Sequence, residues 1–333
     1  MTKDVALVLS SGGPRGFAYI GAIEELERRG YRITSIAGAS IGSLIGGIYA
    51  SGKLEEFKEW LFQLDSLKIL KVMDVDVVKN HLVKGEKVIE AIKTVVPDMN
   101  IEDMKIPYKA VATDIYTGER VIFDHGPMFQ AIRASISIPF LFKPVKIGHR
   151  TLVDGGLSST LPLSVVDRNG HDVLFAFDVN EVNAAAINDY LEKNYKTVEE
   201  ARLIAEQADT TVRTVRNEKG ISMMDKIRAI GQAMAQYGEA RKITKTLKDP
   251  IGADDSYLSI VFRSFDIMNH TIATLEKHMT TPDLLVNMDL DSYGAIPDYA
   301  KGKEICEKGR ALMSAALDRY EGVPASRAAK QPQ

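Results

Sequence analysis

One serine of this sequence lies in a pattern that could make it a nucleophile. The segment Gly38-Ala39-Ser40-Ile41-Gly42 has the form G-x-S-x-G, with a strand-like run before it and a helical pattern after it. In a nucleophile elbow, a strand turns sharply into a helix, so the serine lies beside the free N–H groups of the helix N-terminus. Glycines at Gly38 and Gly42 remove Cβ atoms that would clash in such a turn. The pattern predicts Ser40 as a nucleophile, and a plain Gly/Ser turn is the alternative.

A second stretch of small residues could bind an anion. The segment Ser10-Ser11-Gly12-Gly13-Pro14-Arg15-Gly16 lies between the first predicted strand and the first predicted helix. Such a loop can aim backbone N–H groups at a phosphate or at the oxyanion of acyl transfer. Arg15 suggests a further use, because a cation in the first turn opposes the helix dipole; an exposed arginine is the alternative. The candidate oxyanion or substrate-binding residues are Gly12, Gly13, Pro14, Arg15 and Gly16.

A carboxylate at the end of a predicted strand is the third candidate. Asp154 follows the strand-like run Arg150-Thr151-Leu152-Val153 and precedes Gly155 and Gly156. A carboxylate followed by two residues without side chains could approach a serine closely and act as its general base. An ordinary Asp-Gly turn is the alternative interpretation.

A Ser-His-Asp triad is the competing arrangement. The six histidines are His81, His125, His149, His171, His270 and His278. None lies in a convincing loop at a predicted strand end, and His270 and His278 fall within a helical pattern. In an α/β-hydrolase the catalytic histidine would follow the acid in chain order. We therefore prefer a Ser40/Asp154 dyad.

The elements that must position these residues alternate between strands and helices. Strands are predicted at 5–9, 33–37, 108–113, 120–123, 145–153 and 173–179. A helix with apolar residues at helical spacing precedes the second strand, and a nearly all-apolar helix follows residue 40. This alternation is typical of crossover units and a largely parallel sheet.

After residue 180 the pattern becomes mainly helical and charged. Helices are predicted over 184–246, about 257–279 and about 299–320, with a break at Asp249-Pro250-Ile251-Gly252 and a strand at 284–288. We predict a catalytic core over residues 1–180, then a helical region with a returning strand, packed on the core, over 181–322. Residues 323–333 are predicted to form a disordered tail.

The amino-acid composition argues against several classes of protein and of site. The 333 residues carry 42 Lys+Arg against 45 Asp+Glu, a net charge of −3, so we expect no nucleic-acid partner. The single cysteine, Cys306, excludes an internal disulfide and a cysteine-cluster zinc site and favours a reducing compartment. The N-terminus lacks the long apolar run of a signal peptide, and the uncharged stretch 33–52 is rich in Gly and Ser. These features predict a cytoplasmic protein without a membrane span.

Together the three motifs resemble the patatin-like phospholipase family. The resemblance runs from residue 5 to about residue 179 and continues beyond it in the bacterial patatin-like manner. It also includes Ala112-Thr113-Asp114, Ala134-Ser135-Ile136-Ser137-Ile138-Pro139, Leu161-Pro162, Arg263-Ser264-Phe265-Asp266-Ile267-Met268 and Pro282-Asp283-Leu284-Leu285-Val286. It implies a three-layer α/β/α fold with a largely parallel central sheet and a helical C-terminal region.

The resemblance also implies a function and its residues. The function is a serine acyl-ester hydrolase, of phospholipase A or lysophospholipase type, that uses no metal and no organic cofactor. Ser40 would be the nucleophile, Asp154 its base, and the loop at Gly12 and Gly13 the oxyanion hole. The family pattern G-G-G-x-[RK]-G has Ser11 at its first glycine here, so the loop can serve only if Ser11 adopts φ and ψ that a residue with a Cβ allows.

The implied substrate is a lipid or phospholipid acyl ester. Phe140, Leu141 and Phe142 could line an acyl groove or pack in the core. A helical stripe could lie peripherally on the inner membrane surface or cover the active site as a lid; packing on the core or in a homodimer is the other interpretation. The stripe comprises Met223, Ile227, Ile230 and Met234, followed by the basic residues Arg241, Lys242, Lys245 and Lys248.

Two other functions remain open. The same dyad could serve a general carboxylesterase or an acyltransferase with a different acceptor. The glycine-rich loop could instead belong to a non-catalytic module that binds phosphate or lipid. That module is disfavoured because the loop lacks the G-x-x-x-x-G-K-[ST] pattern of a P-loop, and because Ser40 and Asp154 would have no role.

Overall fold

The chain divides into two units that are each compact by their internal contacts. The computed structural model describes residues 3–65, 67–69, 85–217, 220, 222–246, 257–293 and 296–322. The first unit joins Met1–Val182 to Arg263–Gln333, and the second is Asn183–Phe262. The strand and helices after Arg263 thus group with the N-terminal strands, whereas the predicted helical region began at 181 and included them. The predicted break at 249–252, the predicted tail and His81 lie outside the described residues.

An eight-stranded sheet forms the centre of the first unit. Its order is β5-β6-β3-β2-β1-β7-β8, and β4 pairs with β3. Neighbours among β3, β2, β1, β7 and β8 are parallel, whereas β4, β5 and β6 pair antiparallel. The strands are β1 (Asp4–Leu9), β2 (Arg32–Ala39), β3 (Tyr108–Asp114), β4 (Arg120–Phe123), β5 (Val145–Ile147), β6 (Arg150–Asp154), β7 (Val173–Glu181) and β8 (Leu284–Asp289). The largely parallel sheet is confirmed, and the predicted run 145–153 is two strands that turn at Gly148, where φ is 59°.

Helices connect the strands and continue into the second unit. The described α-helices are α1 (Ala18–Arg28), α2 (Ile41–Ala50), α3 (Leu54–Phe62), α4 (Glu86–Lys93), α5 (Met128–Ser135), α6 (Ala184–Asn217), α7 (Met223–Thr246), α8 (Tyr257–Met279) and α9 (Gly302–Tyr320). Short 3₁₀ segments occupy Gly13–Phe17, Ile101–Asp103, Gly155–Leu157, Leu290–Ser292 and Ile296–Lys301. The last of these replaces the first turn of the helix predicted from about residue 299. No described helix combines the length and the apolar character needed to cross a bilayer.

Both faces of the sheet are covered, because alternate side chains of each central strand point to opposite sides. Leu7 and Leu9 of β1 join a large buried cluster with residues of α1, α2 and α9. Val8 joins a second cluster that includes the segment around Leu163 and Ala273 of α8. The arrangement is the three-layer α/β/α fold that the resemblance implied.

The second unit is built on two long helices. Helices α6 and α7 pack against each other, and buried alanines such as Ala201 and Ala233 allow a close approach. The predicted stripe lies on α7, where Met223 is 77% exposed, Ile227 59% and Met234 65%. The side chains of the four basic residues that follow the stripe lie outside the description.

Candidate active site

The strand register brings the serine and the aspartate together. Strand β2 pairs with β3 up to Ala39, which lies opposite Val111. Strand β6 runs the other way along β3, and its last residue, Asp154, lies opposite Ala112. The two strands therefore end at adjacent residues of β3. Ser40 follows β2 directly, so its side chain meets that of Asp154.

Ser40 occupies a strained turn between β2 and α2. Its φ of 52° and ψ of −123° lie in a region that side chains rarely adopt, at a cost of about 1–3 kcal/mol. The Ser40 N–H donates to Ser135 Oγ at 2.9 Å, and the Ser135 hydroxyl donates to the Val111 carbonyl at 2.5 Å. These two bonds hold the turn in place. They also give Ser135 a structural role. This residue belongs to a segment that carries the family resemblance, but the sequence alone assigned it no role.

The two elbow glycines are required by close backbone contacts. A Cβ on Gly42 would lie 2.3 Å from the carbonyl oxygen of Leu9, and one on Gly38 would lie 2.3 Å from the carbonyl carbon of Gly42. Real Cβ atoms do not approach so closely, and backbone atoms cannot move aside cheaply. The G-x-S-x-G spacing therefore follows from the packing of α2 against the end of β1.

A short hydrogen bond links Ser40 to Asp154. Ser40 Oγ donates to Asp154 Oδ2 at 2.5 Å, and the Gly156 N–H donates to Asp154 Oδ1 at 2.8 Å. Asp154 is only 4% exposed. Burial raises the pKa of Asp154 to about 7, although the hydrogen bonds from Ser40 and Gly156 act to lower it. A carboxyl group with such a pKa can accept and return a proton near neutral pH.

The glycines after Asp154 allow neighbouring elements to approach. A Cβ on Gly155 would lie 2.1 Å from the Val111 carbonyl oxygen. A Cβ on Gly156 would lie 2.8 Å from Ser11 Oγ. The Asp-Gly-Gly segment is thus packed between β3 and the glycine-rich loop, which is more than an ordinary turn requires.

The glycine-rich loop presents two N–H groups without a protein acceptor. Gly12 has no room for a side chain, because a Cβ there would lie 2.2 Å from Val179 Cγ2, and Gly13 has a φ of 58°. Among the described residues, no acceptor receives the N–H of either glycine. Gly13 and Ser40 line the same cavity. The loop is therefore suited to bind an anion beside Ser40.

Ser11 fits its position in the loop. Among the described non-glycine residues, positive φ occurs at Ser40 and Phe140, so Ser11 adopts backbone angles that a side chain allows. The Ser11 N–H donates to the Thr160 carbonyl at 2.8 Å. The departure from the family pattern at this position is thus compatible with an ordered loop.

Arg15 is buried rather than exposed. Its side chain is 4% exposed, Nη1 donates to the carbonyls of Leu290 and Tyr293 at 2.9 Å each, and Nη2 pairs with Asp266 at 3.0 Å. The exposed-arginine interpretation is therefore wrong. Arg15 ties the loop to α8 and to the segment after β8.

The two other loop residues have packing roles. Pro14 stands in the first turn of the 3₁₀ segment Gly13–Phe17, where a missing N–H costs nothing. Gly16 packs against Ile41, so that a Cβ there would lie 2.4 Å from two side-chain carbons of Ile41. The loop is thereby seated on the start of α2.

A buried asparagine that the sequence did not reveal supports the loop. Asn180, at 0% exposure, donates from Nδ2 to the Ser11 carbonyl at 2.7 Å. The same group lies 3.0 Å from Asp178 Oδ1, and Asp178 also pairs with Lys277 at 3.1 Å. The sequence predicted a strand at 173–179, but only the structure shows which loop the end of that strand contacts.

The histidines that the structure describes do not complete a triad. Those that the structure describes are His125, His149, His171, His270 and His278, and none hydrogen bonds to Ser40 or Asp154. His270 instead lies 2.8 Å from the Asn180 carbonyl, through Nδ1. Within the described residues, no cluster of His, Cys, Asp and Glu could hold a metal ion.

An apolar cavity extends from Ser40. Its polar members are few, and the rest of its wall is aliphatic and aromatic. The lining residues are Gly13, Phe17, Ser40, Ile41, Leu44, Phe57, Trp60, Leu61, Leu64, Ile69, Val88, Ile92, Ile136, Ile138, Phe142 and Tyr299. Of the three residues predicted for an acyl groove, Phe142 lines this cavity, whereas Leu141 packs beside it in a small cluster and Phe140 is 54% exposed.

Comparisons with known proteins identify a family and similar chains. A family model described as patatin-like phospholipase matches residues 7–167. An uncharacterised NTE family protein of Mycobacterium tuberculosis is 32% identical over 341 residues, covering 95% of this chain and 92% of that protein.

Other relatives match about half of this chain and a small part of their own length. Human patatin-like phospholipase domain-containing protein 6 is 31% identical over 196 residues, which cover 56% of this chain and 14% of that protein. A lysophospholipase of Lodderomyces elongisporus is likewise 31% identical over 196 residues, covering 56% of this chain and 13% of that protein.

Proposed function

The chain belongs to the patatin-like phospholipase family, and from that premise we propose that it is a serine acyl-ester hydrolase, of phospholipase A or lysophospholipase type, with Ser40 as nucleophile and Asp154 as general base. The observation that carries this proposal is the 2.5 Å hydrogen bond from Ser40 Oγ to the buried Asp154 carboxyl. Ser40 also lines an apolar cavity whose wall includes residues of α2, α3 and α4 and the loop residue Gly13.

Acylation begins with a proton transfer from Ser40 to Asp154. The Ser40 oxygen then adds to the carbonyl carbon of the ester, and the carbonyl oxygen becomes an oxyanion. The free N–H groups of Gly12 and Gly13 can donate to this oxyanion, since no described protein acceptor occupies them. Collapse breaks the ester bond, and the leaving alcohol takes the proton from Asp154.

Deacylation uses the same groups in reverse. Asp154 accepts a proton from a water molecule as the water attacks the acyl carbon on Ser40. The second tetrahedral intermediate collapses, the fatty acid leaves, and the proton returns to the Ser40 oxygen. The Gly156 N–H keeps Asp154 oriented through both steps, because it binds the carboxylate oxygen that Ser40 does not.

The cavity favours a long acyl chain as the group transferred. Aliphatic and aromatic side chains form nearly all of its wall, and their burial of a hydrocarbon chain is favourable by about 25 cal/mol per Å². Away from the glycine-rich loop, a phosphate would lose hydration without gaining polar partners, which disfavours the phosphate-binding alternative for most of the cavity. Relatives described as phospholipases and a lysophospholipase support a lipid acyl ester as substrate.

Labelling with a fluorophosphonate probe tests the proposal without knowledge of the substrate. We expect an adduct on the Ser40 peptide in the wild type and none in Ser40→Ala, read by peptide mass spectrometry. Ser51→Ala, at the far end of α2, is the matched control and should label normally, because Ser51 bonds only to the end of its own helix. A folded wild type that takes no label would contradict the proposal.

Product analysis then separates the hydrolase from its alternatives. We expect free fatty acid from a long-chain lipid ester, and slower release of acetate from a short ester. A product in which an added alcohol carries the acyl group would favour the acyltransferase. Equal rates on short and long chains would favour the general carboxylesterase.

A further inference from the structure

The wall of the cavity contains a phenol whose hydroxyl has no hydrogen-bond partner among the described residues. Tyr299 lines the cavity together with Gly13 and Ser40. Within the described part of the chain, the Tyr299 hydroxyl makes no hydrogen bond, whereas the Tyr293 hydroxyl, six residues earlier, donates to Glu304 at 2.6 Å. Tyr299 is only partly buried, so its hydroxyl is accessible from the cavity and can donate to a bound molecule.

The hydroxyl lies next to the glycine-rich loop. It stands 3.6 Å from the point that a Cβ on Gly13 would occupy, which is an ordinary van der Waals distance from that point. Edge-on packing fixes the ring, since Phe17 lies 5.8 Å away between ring centroids at an interplanar angle of 80°. Because Phe17 ends the 3₁₀ segment that Gly13 begins, the phenol and the loop are held as one body.

Two charged groups near the hydroxyl act in opposite directions, because Arg15 favours a negative charge there and the Asp154 carboxylate opposes it until it takes the Ser40 proton. The buried Arg15 guanidinium and the Asp154 carboxyl both act electrostatically on Tyr299. Burial raises the pKa of Tyr299 to about 12, so the hydroxyl keeps its proton near neutral pH and can donate it to an acceptor. Arg15 favours an anion on this side of the cavity, while its own Nη groups remain bound to protein.

We propose that Tyr299 is a third donor to the oxyanion, acting from the cavity wall beside Gly13. This inference rests on the proposed function, because it requires a tetrahedral intermediate on Ser40. The hydroxyl donates a hydrogen bond to the former carbonyl oxygen and retains its proton throughout. It also requires the acyl group to enter with its carbonyl between Tyr299 and the loop, so the chain extends along the apolar wall.

Tyr299→Phe tests the proposal, since it removes one oxygen and keeps the ring against Phe17. Rates are measured on a p-nitrophenyl ester and an alkyl ester of the same fatty acid. We expect kcat/KM to fall about 10²-fold on both substrates, the loss typical of one oxyanion donor. Tyr31→Phe is the matched control, and it should keep the wild-type rate because its hydroxyl donates to Glu321 at 3.1 Å and does not line the cavity.

The outcomes that oppose the proposal are distinct. Full activity of folded Tyr299→Phe on both esters would overturn it and leave the Ser40/Asp154 proposal intact. A loss confined to the alkyl ester would also overturn it, because a donor to the leaving oxygen matters little for nitrophenolate. A wild type that neither hydrolyses the esters nor takes the fluorophosphonate label would overturn the proposed function, and this inference with it.

Discussion

The core around Ser40 and the helical pair α6–α7 differ in how closely each side chain is constrained. At Gly42, Gly38 and Gly155, an added Cβ would lie within 2.3 Å of backbone atoms. On α7, an added Cβ at Gly231 or Gly238 meets no atom within 4 Å. The same residue type is thus indispensable in one region and replaceable in the other.

The two regions also differ in what they expose. The candidate catalytic groups are buried, and Asp154 and Arg15 are held by hydrogen bonds to named partners. Helix α7 exposes apolar side chains such as Met223 and Met234. The candidate catalytic groups thus lie in a rigid environment from which water is excluded. The helices α6 and α7 tolerate more substitutions, and α7 exposes apolar side chains that can contact other surfaces.

The largest effect should come from removing the base. Asp154→Asn should lower kcat/KM by 10³-fold or more, because the amide cannot accept the Ser40 proton. In the wild type, kcat/KM should rise with pH through about 7 and level off above, since only ionised Asp154 is a base. A pH profile of wild-type hydrolysis measures this. A flat wild-type profile from pH 5 to 9 would remove Asp154 from the mechanism.

The same substitution should raise stability at alkaline pH. The unfolded chain ionises this carboxyl near 3.8 and the folded chain near 7, so its contribution to the free energy of unfolding falls as pH rises between these values. At 1.36 kcal/mol per pH unit, the upper bound is about 4 kcal/mol. Denaturant unfolding of Asp154→Asn at pH 5 and pH 8 should show a stability gain over the wild type that grows with pH. An equal difference at both values would argue against a raised pKa.

A pair of glycine substitutions tests the contrast in packing. Gly42→Ala should cost about 3 kcal/mol or more and abolish fluorophosphonate labelling, because its Cβ would overlap the Leu9 carbonyl. Gly231→Ala, on exposed α7, should gain about 0.5–1 kcal/mol from helix propensity. Thermal unfolding and labelling of both variants measure these effects. If the two variants showed similar changes in thermal stability and labelling, the proposed difference in packing between the two regions would be wrong.

The smallest effect is expected on binding to lipid vesicles. If the exposed stripe contacts membranes, replacing Met223 and Ile227 by serine should weaken sedimentation with anionic vesicles about tenfold. Hydrolysis of a soluble short-chain ester should not change. The control replaces Leu203 and Ile204, exposed on α6, by serine and should sediment like the wild type. Unaltered sedimentation of the α7 variant would remove the membrane role of the stripe.

Much of the fold was predictable because its signals are local. Strand runs and helical spacing depend on neighbouring residues, and the predicted strands at 5–9, 108–113, 120–123 and 173–179 all fall within strands of the sheet. The sequence did not predict the turn at Gly148, because apolar residues on both sides of it gave the pattern of one continuous strand over 145–153. The 3₁₀ segment before α9 was missed because its pattern continues that of the helix.

The sequence by itself determined the candidate chemistry. Its G-x-S-x-G and Asp-Gly-Gly motifs named Ser40 and Asp154, because elbow glycines and a strand-end carboxylate leave short local patterns. Tertiary structure alone decided that β2 and β6 end at adjacent residues of β3, which joins side chains 114 positions apart in the chain. It also decided the contacts of Ser135, Asn180 and Tyr299 with the turn and the loop. Such contacts depend on register and packing between distant segments, and no local spacing encodes them.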